Sequence, residues 1–337
     1  MKRNMKLWLE ELLKSDVKKA LPILSFPSVQ LLGITVKKLI SDSELQAKGM
    51  KMIAERTASA AAVSLMDLSV EAECFGSSVK FSDDEIPTVT GRIINNEEDA
   101  NKLKIPEIGT ARSGLYINAI KKACEEITDR PVFAGMIGPF SLAARLLDVT
   151  EIMMDCYEDP DMVHTVLEKT TNFLINYAKA YKEAGANGIV LAEPVSGLLS
   201  PALEEEFSSP YVKKIVEAVQ DDEFILIYHN CGNNTHLMTE SIYSTGSAAY
   251  HFGNAINMKE MMEKFPENTV LMGNVDPAAI LRRGTPEAVR AETLRIMNEC
   301  CSHKNFVISS GCDIPPLTPW ENLDAFFAAV EEFYGKQ

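Results

Sequence analysis

The sequence predicts an α/β fold: a single (β/α)8 TIM barrel with an N-terminal helical extension and an insertion after the second strand. Three observations carry this. Short, continuous apolar runs recur along the chain, as expected of strands buried on both faces of a parallel sheet. Stretches with helical spacing and legible start signals separate them. The runs number eight, which is enough to close a barrel, although a doubly wound open sheet is the alternative.

The candidate strands are 22–26, 61–67, 132–137, 188–193, 224–229, 248–252, 269–273 and 306–310. Asp159-Pro160 opens a long helix, with Val163, Val166, Leu167, Phe173, Leu174, Tyr177 and Tyr181 on one face and Gly185 ending it. Ser209-Pro210, Asp276-Pro277 and Thr285-Pro286 repeat the signature of a polar cap followed by proline. Thr318-Pro319-Trp320-Glu321 adds a capping box, and its helix is expected to run to about Phe333. Residues 1–20 read as an N-terminal amphipathic helix, and 70–130 as a region of solvated insertion carrying Ser82-Asp83-Asp84-Glu85 and Asn95-Asn96-Glu97-Glu98-Asp99. No interdomain linker or internal repeat interrupts 1–337, so one domain is expected.

The composition narrows the function. The chain has 337 residues, 46% apolar and 24% charged, ample for a large core. A net charge of −15, with Lys and Arg dispersed, argues against nucleic acid and anionic membranes as partners. No run approaches the roughly 18 apolar residues of a membrane span. Behind Met1-Lys2-Arg3 there is no apolar stretch of the kind a signal peptide carries. Seven scattered cysteines make a disulfide framework a poor fit and a reducing cytoplasm a good one.

The chemistry concentrates at two strand ends. His229 and Cys231 follow the run Phe224–Tyr228, and Cys312 follows Phe306–Ile308. Alternate residues at a strand end face the same side, so His229 and Cys231 can address one point. In a barrel the active site lies at the C-terminal strand ends, where all three fall. A His-Cys-Cys set suits zinc and leaves a fourth position open for chemistry. A free Cys is also commonly a small buried hydrophobe, so packing is the competing reading. Glu193 ends the fourth candidate strand as either a further ligand or a helix cap. Asp67 ends the second, orienting substrate or bonding at the rim. Tyr250 and His251 end the sixth, where alternation sends one of them inward. Met136 and Met272 are core filler or pocket lining.

With these residues in view, the chain resembles the uroporphyrinogen decarboxylase superfamily, and within it the branch of zinc-dependent corrinoid methyltransferases. The resemblance runs through Asp67-Leu68-Ser69-Val70-Glu71-Ala72-Glu73 with Phe75-Gly76, Gly135–Ser141, Glu193-Pro194 with Ser200-Pro201, and Gly273-Asn274-Val275-Asp276-Pro277. His229-x-Cys231 with a distant Gly311-Cys312 resembles that branch's zinc site. The resemblance implies His229, Cys231 and Cys312 as zinc ligands and catalytic roles for Glu193 and Asp67. It implies substrate contacts from Met136, Tyr250, His251 and Asn274. It further implies a methylcobamide donor on a separate corrinoid protein, and a small acceptor such as coenzyme M, another thiol or tetrahydrofolate. True decarboxylases carry an arginine-rich stretch near the N-terminus. Here Leu24–Gln30 contains no arginine, a departure that argues against a porphyrinogen substrate. No cluster of cations marks a sulfonate site, and the sequence leaves the oligomeric state open.

Overall fold

The computed structural model describes residues 3–335. In chain order the strands are β1 (Ala62–Val63), β2 (Ser78–Lys80), β3 (Thr88–Thr90), β4 (Val132–Ile137), β5 (Gly188–Ala192), β6 (Ile225–Asn230), β7 (Ala249–Phe252), β8 (Val270–Val275) and β9 (Phe306–Ser310). Seven of them form one curled parallel sheet in the order β1-β4-β5-β6-β7-β8-β9, a TIM-like α/β fold. The other two, β2 and β3, pair as an antiparallel hairpin.

Side chains of the sheet divide into two layers. Val63, Phe133, Val190, Ile225, Ile227, Ala249, Val270, Met272 and Val307 pack together on the concave side. Their neighbours Leu226, Tyr228, Tyr250, Phe252, Leu271 and Ile308 pack outward against the helices. This explains why the strands read as unbroken apolar runs: both faces are covered. The helix Met5–Lys14 places Met5, Trp8, Leu9 and Leu13 against the concave layer. Met5 N–H donates to Asp222 O just ahead of β6, so this helix plugs the N-terminal end of the strands.

The first expected strand, 22–26, is not a regular strand. Extended backbone at 20–23 instead lies between the two edges of the sheet. Ala60 N–H donates to Ala20 O at 2.8 Å, and Leu21 N–H donates to Ile308 O at 3.0 Å. Ile23 N–H then donates to the Ser310 hydroxyl at 3.1 Å. Pro22, between them, has no N–H to give, so a continuous ladder cannot form. The second expected strand, 61–67, shrinks to Ala62–Val63 because the Ser64 hydroxyl accepts the Gly135 N–H at 2.8 Å in place of a backbone carbonyl.

The helix signals position most of the outer layer. Asp159 caps Pro160–Glu183, Asp276 caps Pro277–Arg282 and Thr285 caps Pro286–Cys300. Near residue 209 the boundary moves by one, since the flanking residue is Ser208 and the helix is Ser209–Val219. The capping box at Thr318 does not form. The Thr318 hydroxyl has no hydrogen-bond partner, and the helix begins later, at Trp320–Gly335. The stretch 70–130 holds the β2–β3 hairpin, a short helix Glu97–Lys102 and a longer one, Ser113–Glu126.

Gly188 pairs with Phe133 on one side and Ile225 on the other. A Cβ at Gly188 would overlap the Ile225 carbonyl, and backbone on a neighbouring strand cannot yield as a side chain can. Gly188→Ala is therefore expected to destabilise the fold by about 1–3 kcal/mol or more, read as a lower urea midpoint at unchanged m-value.

Candidate metal centre

His229 continues the inward-facing series Ile225, Ile227 of β6 and is buried at the sheet's C-terminal end. Cys231 follows one residue beyond the strand, and Cys312 arrives on the turn after β9. One donor atom from each lies within 4.8 Å of the others. The Cys312 sulfur is 3.4 Å from His229 Nε2. Bond lengths of about 2.3 Å to sulfur and 2.0 Å to nitrogen would set tetrahedral donors about 3.5–3.8 Å apart, so the three side chains fit a zinc ion with only small adjustment.

The sequence between the two nearer ligands fixes their loop. The Asn230 side chain faces away from them. Its Oδ1 accepts from Gly232 N–H at 2.9 Å and from the Thr235 hydroxyl at 2.8 Å. Its Nδ2 donates to Ser196 at 3.0 Å and to the Tyr228 hydroxyl at 3.1 Å. Gly232 packs back-to-back against Gly197, where a Cβ on either would overlap the other's backbone. A Cβ at Gly253 would stand 2.5 Å from the Cys231 Cα.

A chain of hydrogen bonds sets the state of His229. The Ser309 hydroxyl donates to Leu21 O at 2.7 Å, which leaves its oxygen to accept. His251 Nε2 lies 2.7 Å from that oxygen and must supply the proton. Burial, together with the neighbouring imidazole, holds the His251 pKa well below the usual range, so its ring is neutral and its Nδ1 carries a bare lone pair. That lone pair sits 2.8 Å from His229 Nδ1, which must therefore be protonated. The proton of neutral His229 is thus on Nδ1, and Nε2 presents its lone pair to the cysteines, the tautomer that a metal needs.

The cysteines differ. The Cys231 thiol is lowered chiefly by its hydrogen bond with Cys312, whereas the Cys312 thiol is raised by the same bond and by burial. The two protons therefore leave in sequence, the second being held by the first thiolate. A divalent cation would remove that obstacle by stabilising both charges.

The carboxylates expected near this point are engaged elsewhere. Glu193 is fully buried, but it accepts Phe140 N–H at 2.8 Å, Ser141 N–H at 2.9 Å and the Ser141 hydroxyl at 2.7 Å. It caps the helix Pro139–Leu147 and lies outside the ligand cluster. A Cβ on Gly138 would occupy the space of this carboxyl. Burial raises Glu193 to about 7, against the downward pull of those bonds. Asp67 bonds the Tyr116 hydroxyl at 2.7 Å and the Ser69 hydroxyl at 2.5 Å, and pairs with Arg112. Arg112 also reaches Glu73 at 2.6 Å and Ser69 at 2.8 Å.

Of the other expected contacts, His251 enters as the partner of His229. Tyr250 faces outward, its hydroxyl donating to Tyr243 O at 3.0 Å. Met136 is fully buried in the outer layer, away from the concave side, while Met272 packs in the concave layer. Asn274 ties the turn after β7, its Nδ2 donating to Gly253 O at 2.9 Å and Ile256 O at 2.7 Å.

A cavity of about 270 Å³ opens over the ligands. Ile86, Pro87, Thr88 and Val89 of the β2–β3 hairpin form one wall, with Met66, Leu68, Arg145, Pro194 and Asp313 around the rest. Sequence reasoning passed over the hairpin because Ile86-Pro87 sits beside the charged Asp83-Asp84-Glu85, and over Arg112 and Asn230 because their partners are remote or face outward. Burial holds the Asp313 carboxyl well above the usual range, and neither of its oxygens has a hydrogen-bond partner.

Known proteins resemble this chain in sequence and in fold. The family model for uroporphyrinogen decarboxylase (URO-D) matches residues 26–333. A methylcobamide:CoM methyltransferase of Methanosarcina mazei is 31% identical over 271 residues, covering 79% of this chain and 78% of that protein. A uroporphyrinogen decarboxylase of Coxiella burnetii is 30% identical over 263 residues, covering 73% and 71%. A solved methyltransferase structure from Methanosarcina mazei superposes with a TM-score of 0.86 at 26% identity, covering 98% of this chain and 99% of that one.

Two measurements follow, one on the centre and one on a buried carboxyl elsewhere in the fold. His251→Ala should weaken zinc binding about 10–100-fold, followed by competition with a chromophoric chelator; Ser309→Ala should shift it less, in the same direction. The second concerns Glu71, whose carboxyl is raised to about 8 chiefly by burial and has one oxygen without a partner. The folded chain then binds more protons than the unfolded chain from about pH 4.5 to 8, so this carboxyl lowers stability as pH rises through that window. Glu71→Gln should flatten the decline and be the more stable protein at pH 8.5, by on the order of 2 kcal/mol in urea unfolding, with little advantage at pH 4.5.

Proposed function

The chain belongs to the uroporphyrinogen decarboxylase (URO-D) family, and from that premise we propose that it is a corrinoid-dependent methyltransferase. It moves a methyl group between a methylcobamide carried on a corrinoid protein and a small acceptor, a thiol such as coenzyme M foremost and tetrahydrofolate second. The observation that carries this reading is the convergence of His229, Cys231 and Cys312 at one end of the sheet. We read the segment 20–26 as the eighth stave of a closed (β/α)8 barrel, within one domain spanning 1–337 to which 1–20 and 70–130 are additions. No described helix is long and apolar enough to cross a membrane, in keeping with the cytoplasmic location we propose.

In this mechanism His229, Cys231 and Cys312 would hold a zinc ion. When bound, it lowers the pKa of an incoming thiol and so supplies a thiolate at neutral pH. His229 offers Nε2 because His251 and Ser309 fix its proton on Nδ1. The two cysteine thiolates would offset the charge of the ion, so that an acceptor thiolate beside it keeps its nucleophilicity. The apolar wall of Ile86, Pro87 and Val89 excludes water and confines the acceptor near the ligands. The acceptor sulfur attacks the methyl carbon. A sulfur–carbon bond forms, the carbon–cobalt bond breaks, and its electron pair stays with cobalt as cob(I)amide. The thiol proton passes to solvent. Asp67 and Glu193 act indirectly, by holding Arg112 and the helix Pro139–Leu147 in place.

Porphyrinogen decarboxylation is the rival chemistry, since relatives of similar identity carry that name. Two features weigh against it. Leu24 and Phe26 are buried where a cationic clamp would be needed, and Asp67 is committed to Arg112, Tyr116 and Ser69. A decarboxylase should also purify without stoichiometric zinc.

The deciding assay mixes the protein with methylcobalamin and an acceptor, among them coenzyme M, homocysteine, a simple thiol and tetrahydrofolate, and follows loss of the methylcobalamin spectrum. Cys312→Ala should lose zinc and at least about a hundredfold in turnover while its circular dichroism and urea midpoint stay near those of the parent. Full activity in that variant would overturn the mechanism.

A further inference from the structure

Arg145 is out of place by ordinary packing rules. It lies on the helix Pro139–Leu147, whose other residues from Pro139 to Leu147 are all buried. Its side chain is partly buried, and among the described residues it has no ion pair and no hydrogen bond. Burial alone acts on its guanidinium, lowering its pKa with no carboxylate to offset the loss of water. A half-desolvated cation without a counter-charge is costly unless something supplies one. The other arginine close to the site, Arg112, shows the contrast: it is saturated by Asp67, Glu73 and Ser69.

What lies in front of Arg145 is the cavity over His229, Cys231 and Cys312, since Arg145 lines it. Much of the rest of the lining is apolar, including Ile23, Met66, Leu68, Ile86 and Val89. Among the described residues, Arg145 is the only Lys or Arg in that lining. The cavity, about 270 Å³, has room for a small acceptor beside the three side chains. A molecule reaching from the sulfur ligands to Arg145 would place its reactive end at one and its other end at the other. A guanidinium presents a planar fork of donors that matches a carboxylate or sulfonate.

We propose that Arg145 is the specificity-determining residue of this pocket, binding the anionic group of a small thiol acceptor whose sulfur sits at His229, Cys231 and Cys312. This rests on the thiol-methylation reading given above. A folate, which has no thiol, lies outside this proposal. The anchor also sets the orientation: the anion end is held first and the thiol is left pointing at the cysteines.

Two arms test the proposal. The first needs no turnover. Ethanesulfonate, which has the anion but no thiol, is titrated into the zinc-loaded and zinc-free proteins by calorimetry, with ethyl methyl sulfone as the uncharged control. The parent should bind the sulfonate and not the sulfone. Arg145→Gln should lose at least about tenfold in affinity and Arg145→Lys should lose less. The second arm compares kcat/KM for 2-mercaptoethanesulfonate and for 2-mercaptoethanol in the methylcobalamin assay. The parent should prefer the anionic thiol, and Arg145→Gln should reduce that preference at least about tenfold. An unchanged preference, or equal binding of sulfonate and sulfone by the parent, overturns the proposal even if the variant proves unstable. If the parent methylates no thiol yet binds ethanesulfonate through Arg145, the methyl-transfer reading falls and the anion site stands.

Discussion

Four hydrogen-bonded groups, Leu21 O, Ser309, His251 and His229, hold the site in its working state. Each link settles the next. A backbone carbonyl takes the serine proton, the serine oxygen takes one from His251, and His251 takes one from His229. The far end is a lone pair on Nε2 facing two cysteines. The near end belongs to the segment at 20–23, which bridges the edges of the sheet. The orientation of His229 and the joining of the two sheet edges are therefore parts of one connected network. Loosening the segment around Pro22 would release the Ser309 proton, and with it the reason that His229 keeps its own on Nδ1.

Much of this was legible in the sequence, and the legible parts share a cause. β4 and β9 occupy the expected 132–137 and 306–310, and β5, β6, β7 and β8 lie within one or two residues of expectation. Burial on both faces makes a strand visible as an apolar run. The cluster was legible because His229 and Cys231 end such a run at alternate positions. Where the ladder is kept by something other than backbone, the signal fails. Pro22 breaks the 22–26 segment, and Ser64 takes over a backbone role in β1. Tyr250 and His251 could not be separated by type. The concave position of Ala249, which only the register supplies, turns His251 inward and Tyr250 outward.

The acids were the harder case, because a carboxylate's role is set by donors from distant segments. Glu193 is adjacent to β5, yet its donors come from the start of the helix Pro139–Leu147. Asp67 is claimed by Arg112 and Tyr116, more than 40 positions away along the chain. Nothing local announces such partners. The same limit concealed Arg145, whose meaning lies in what it lacks. An arginine on a helix reads as a solvated charge until its neighbours are known to be apolar and its carboxylate partner is found missing.

The helix Met5–Lys14 stoppers the far end of the strands, with Met5 and Trp8 packed into the concave layer. Traffic to the three ligands is then one-way in and one-way out, through the face lined by the hairpin. In methyl transfer both reactants would share that single doorway, and a corrinoid is by far the bulkier of the two. If the docked corrinoid covers that doorway, a small acceptor would have to be seated first, and the reactants would meet in one three-body assembly.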